Sequence, residues 1–75
     1  MRIFYNGRLI EPIVTSYEDG DYAVDLIIWR WSTDEITLTK IFTQNLFSSR
    51  RKAFCSGLKL GMMYVDGKVS LLPAF

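Results

Sequence analysis

The chain has no histidine and a single cysteine, Cys55. Without histidine it lacks the usual general base near neutral pH, any Ser–His or Cys–His couple, and every histidine-containing zinc set. One cysteine closes no intramolecular disulfide, so the 75-residue chain folds without a staple, as suits a reducing compartment. Long apolar runs are also missing. The uncharged stretch Leu26–Trp29 falls far short of the roughly 20 residues a membrane-spanning helix needs. The opening residues Met1–Arg8 reach polar and charged side chains too soon for a signal peptide. A soluble, cytoplasmic chain with no membrane partner is expected.

Little catalytic chemistry survives these absences. Glu18, Asp19 and Asp21 flank one turn, and Asp34 and Glu35 another, in neither case with the ligand spacing of a calcium loop. Arg51, Lys52 and Lys59 surround Cys55 in the sequence and favour its thiolate, but it has neither a histidine base nor a second cysteine to resolve an oxidised sulfur. Gly57 and Gly61 bracket Leu58-Lys59-Leu60 without the remainder of a phosphate-binding loop. The expectation is a non-enzymatic chain with no catalytic residue, metal or cofactor.

What is present is apolar and asymmetric. Thirty-seven residues are hydrophobic, eleven of them aromatic, yet a domain this small buries only about 60% of the surface of its unfolded chain. Some apolar surface is therefore expected to face a partner or a second copy. Residues 1–39 carry three basic against seven acidic side chains, whereas residues 40–75 carry six basic against one acidic. Two readings follow: pairing between the halves within one domain, or complementary surfaces that meet a partner.

Asn6-Gly7, Asp19-Gly20 and Asp66-Gly67, each between apolar or aromatic segments, signal tight hairpin turns. Strands are expected at Arg2–Tyr5, Arg8–Thr15, Tyr22–Trp31 and Glu35–Phe42, joined in the last pair by the loop Ser32-Thr33-Asp34-Glu35. Pro12 lacks an amide donor and places the second strand at an edge or a bulge. Both alternating sets of the third strand are largely apolar, which suits a central strand covered on both faces. Within Asn45–Leu60, Leu46, Phe47, Ala53, Phe54 and Leu58 share one helical side, with Ser48 or Asn45 as cap and Gly57 as terminator; Arg50 falls within the apolar arc. A last hairpin, Leu58–Val65 and Lys68–Leu72, turns at Asp66-Gly67. One α+β domain over residues 1–75 results, an antiparallel ββββαββ sheet with one packed helix. A small all-β barrel is the alternative if Asn45–Gly57 is not helical.

Two sets of residues stand out as candidate sites. Arg50, Arg51, Lys52 and Lys59 on the helix, with Lys40 nearby, suit contacts to nucleic-acid phosphates or another anion. Trp29 and Trp31 share one face of the third strand, opposite Leu38 and Ile36, and are candidates for core or for a protein interface together with Leu72 and Phe75 of the apolar tail. Arg30 points to the other face, toward an acidic partner on an adjacent strand. The preferred reading is an interaction module that binds another protein or forms a homodimer; the alternative is a nucleic-acid-binding protein using the basic helix.

Overall fold

The structure, a computed structural model, describes residues 1–69. Strands β1 (Ile3–Tyr5), β2 (Arg8–Ser16), β3 (Tyr22–Trp31) and β4 (Ile36–Phe47) form one antiparallel sheet in the order β1-β2-β3-β4, and helix α1 (Arg50–Val65) lies on one side of it. The sheet is open, with β1 and β4 at its edges, so the α+β reading holds and no barrel closes.

Local chemistry accounts for most of the turns. Tyr5 pairs with Arg8 across a two-residue loop in which Asn6 and Gly7 take φ of 48° and 77°, the left-handed pair a tight hairpin requires. The β3–β4 loop is closed by the Ser32 amide, which donates to the Glu35 carbonyl at 2.9 Å. Trp29 consequently pairs with Leu38 and Trp31 with Ile36, the register the four-residue loop implies. β2 lies between β1 and β3, but β1 pairs only as far as Ile10. Pro12 is thus on a stretch whose outer edge is unpaired, and its missing amide costs the ladder nothing.

The C-terminal half differs from expectation. Asn45, Leu46 and Phe47 extend β4, which is irregular where Phe42 and Leu46 face Asp25 and Ala23. The Thr43 hydroxyl donates to the Val24 carbonyl across this irregularity. The helix begins at Arg50, capped by Ser49, whose hydroxyl accepts from the Lys52 amide at 3.1 Å. It passes through Gly57 instead of ending there, and Leu58–Val65 is helix, not strand. Asp66-Gly67 ends the helix instead of turning a hairpin. The Gly67 amide donates to the Tyr64 carbonyl and the Lys68 amide to the Met63 carbonyl, with Gly67 at φ 74°. This is the Schellman closure, which needs the same positive φ as a hairpin turn. Residues 70–72 of the expected last strand lie outside the described residues.

The core lies between the helix and one face of the sheet. Ile10, Leu26, Ile28 and Ile41 are fully or almost fully buried, with Leu58, Met62 and Tyr64 of the helix against them. Each such aliphatic side chain contributes about 1.5–3 kcal/mol on burial. Ala53, Gly57 and Gly61 make the buried stripe of α1, four residues apart. A Cβ on Gly61 would stand 2.8 Å from Cγ2 of Ile10, so the helix rides unusually close to the strands.

Candidate functional site

The helix covers only one face of the sheet, and among the described residues nothing covers the other. Side chains alternate along a strand, so the buried set Val24, Leu26 and Ile28 leaves Ala23, Asp25, Ile27, Trp29 and Trp31 on the open side of β3. The ladders place Leu9, Glu11 and Ile13 beside them on one flank. Ile36, Leu38, Lys40, Phe42 and Leu46 flank them on the other. Among the described residues, seven of the nine exposed large hydrophobic side chains, all but Met1 and Tyr17, project from strands onto this face, and Tyr17 lines a groove beside Leu46 at its edge. Ile36, Phe42 and Leu46 remain 59%, 54% and 58% exposed. At standard strand spacing the three long strands present roughly 15 Å by 30 Å. That footprint is on the order of 450 Å² with Glu11, Asp25 and Lys40 included, so the apolar part is no larger than the largest apolar patch on an ordinary monomer.

A few polar groups interrupt this surface. Glu11 receives Arg2 at 3.4 Å and the Trp29 indole N–H at 3.3 Å, while the Arg2 guanidinium lies 5.6 Å from the centroid of the Trp29 ring. Across the sheet Lys40 Nζ stands 5.3 Å from the Phe42 ring centroid. Asp25 is the cross-strand neighbour of Phe42. Indole and carboxylate hold each other in place, leaving the Trp29 ring half-buried and Trp31 exposed at the strand end.

Trp29 and Trp31 therefore stand together, but on the face away from the helix, and β3 is covered on one side only among the described residues. Leu72 and Phe75 lie outside the described residues. Arg50, Arg51 and Lys52 form the first helical turn, which has no acidic residue. Arg50 is exposed, its guanidinium 5.5 Å from the Tyr22 ring centroid, which resolves its misfit in the apolar arc. It shares a shallow apolar groove of about 580 Å³ with Arg51, Met1, Pro12, Val14 and Phe54. Lys59 is exposed two turns farther along α1. Lys40 is separated from these cations because its strand turns it to the open face.

Among the described residues the charge split is not neutralised by ion pairing between the halves. The single salt bridge among the described residues, Arg2–Glu11, joins two members of the acidic half. Arg30 meets no acid in the ladder either; its cross-strand neighbours are Arg8 and Thr37. Sequence reasoning set Leu38 and Ile36 beside the two tryptophans but missed Phe4, Ile13, Phe42 and Leu46 as parts of the same surface. The available signal was that a single helix cannot cover both apolar faces of β3.

Glu18 and Asp19 are exposed at the β2–β3 turn, where Asp19 accepts from the Asp21 amide at 3.2 Å. Cys55 is exposed. Among the described residues no three His, Cys, Asp or Glu side chains converge as a metal site, and no helix is long and apolar enough to cross a membrane. No protein-family model, curated protein or solved structure matches the chain.

Proposed function

We propose that this protein is a non-enzymatic interaction module that docks a protein partner, another protein or a second copy of itself, on the open face of its sheet. The observation that carries this reading is the concentration of exposed apolar side chains on one face of the sheet. Scattered exposed apolar residues are ordinary, whereas the largest contiguous apolar patch of a monomer is often its functional surface. Trp29 and Trp31 supply the large rings that dominate binding energy at interfaces. Besides the Arg2–Glu11 pair, Asp25 and Lys40 each add a charge of opposite sign to the patch, which selects orientation more than it adds affinity.

The alternative is nucleic-acid binding through Arg50, Arg51, Lys52 and Lys59. The specific feature in its favour is the unopposed cationic first turn of α1. Titration against labelled single- and double-stranded DNA and RNA at about 50 and 200 mM salt separates the two. Several phosphate contacts make affinity fall by orders of magnitude across that range. The interaction module gives no such binding, and its association is lost on Phe42→Asp while Arg51→Glu leaves it intact. Steep salt-dependent binding abolished by Arg51→Glu would replace this proposal with the nucleic-acid reading.

A further inference from the structure

We infer that the helix-side end of the sheet carries a second, unrelated site, a pocket that binds a phosphoryl group. Arg8, Arg30 and Thr37 lie in one row across β2, β3 and β4, and Thr39 is in the next row. With Tyr64 and Val65 of α1 they line a cavity of about 310 Å³. Like charges directly opposite each other in a ladder are destabilising, and no carboxylate among the described residues forms a salt bridge with either arginine. Arg8 makes one long hydrogen bond, 3.3 Å to the Gly7 carbonyl, which uses one of the five donors a guanidinium has.

Two ordinary uses of these arginines are already filled by other groups. The Met62, Met63 and Tyr64 carbonyls at the end of α1 accept from the Asp66, Lys68 and Gly67 amides, so three of its last four carbonyls are capped without the guanidiniums. Asp66, the acid at this end of the helix, is engaged by Tyr5 at 2.5 Å and by Asn6 at 2.9 Å. What remains is a recess with two cations and three hydroxyls, those of Thr37, Thr39 and Tyr64, floored by Ile28 and Val65. A dianionic phosphoryl group matches that charge, and its three oxygens match the forked guanidinium donors. A carboxylate has fewer oxygens and half the charge. The cavity also leaves room for a small organic group on the phosphate.

The test is thermal melting and calorimetric titration with inorganic phosphate, and separately with glycerol phosphate, against chloride at matched ionic strength. The wild-type chain is expected to show a saturable rise in melting temperature with either probe. A stronger response to glycerol phosphate identifies a phosphomonoester as the ligand, and equal responses identify the free anion. Arg30→Gln is expected to weaken binding roughly tenfold or more. The same substitution raises the melting temperature without ligand, because it removes the cross-strand repulsion; an arginine serving a merely structural role would lower it. Arg51→Gln leaves the response unchanged. No phosphate-specific shift in the wild type, an unchanged shift in Arg30→Gln, or loss of the shift in Arg51→Gln instead would each overturn the inference.

Discussion

The rings of Phe4 and Trp31 lie with centroids 6.0 Å apart and planes tilted by 34°, closing one end of the open sheet face with two exposed aromatics. Neither ring belongs to the core beneath the helix. Such a pair adds only about 0.5–1.5 kcal/mol beyond area burial, so Trp31→Ala is expected to keep a cooperative melt and an unchanged far-ultraviolet circular dichroism spectrum. The same substitution is expected to weaken association with the docked partner by roughly tenfold or more, as loss of an interface hot spot does. Sedimentation velocity across a concentration series reads this for self-association.

The close approach of helix and sheet gives the opposite kind of variant, one that harms the fold and not the surface. A Cβ on Gly57 would stand 2.6 Å from Cγ2 of Val24, a stiff β-branched side chain. Overpacking costs about 1–3 kcal/mol, and the helix-propensity gain of Gly→Ala offsets only about 1 kcal/mol of it. Gly57→Ala is expected to lower stability in chemical denaturation. Adding Val24→Ala removes the clash, so the double variant should be less destabilised than the two single effects summed.

A hydrogen bond between Tyr5 and Asp66 ties β1 to the end of α1. The Tyr5 hydroxyl donates to Asp66, and this hydrogen bond, with lesser contributions from burial and from the negative charge of Asp66, raises the Tyr5 pKa above its ordinary value. A raised folded-state pKa means that the hydrogen bond contributes fully below the unfolded-state value near 10. Its contribution is then lost as pH rises through the higher folded-state value. Wild-type stability should therefore fall with alkaline pH more steeply than that of Tyr5→Phe, which is less stable at neutral pH. Melting curves from neutrality to pH 11 check both signs.

The first turn of α1 makes a further distinction. Arg51 and Lys52 sit where the helix dipole favours acids. Replacing each with Glu is expected to raise stability by about 0.3–1 kcal/mol, as exposed charges at a helix N-terminus do. Association through the open face should be unaffected. Urea denaturation and sedimentation on the same samples read the two effects.

Much of the sheet was legible because its signals are local. Asn6-Gly7 has the conformational freedom its two-residue turn needs, and the loop from Ser32 to Glu35 determines the pairing of Trp29 with Leu38. The helix was less legible because its glycines act through tertiary contacts. Gly57 looks like a stop in the sequence, yet it and Gly61 are points of close approach to Val24 and Ile10. Asp66-Gly67 misled because a helix terminus and a hairpin make the same demand on glycine. The open face was hidden by symmetry: both faces of β3 are apolar, and only the position of α1 decides which one is covered.

The most direct test of the open face as a docking surface is photocrosslinking in the cells that make this protein, with a photoreactive residue placed at Leu38 and, in a separate variant, at Lys59. Leu38 lies on the open face and Lys59 on the outer side of the helix. A discrete adduct from position 38 and none from position 59 is the expected result, its mass telling a second copy from a different protein. An adduct from position 59 alone, or none from position 38, would contradict the account.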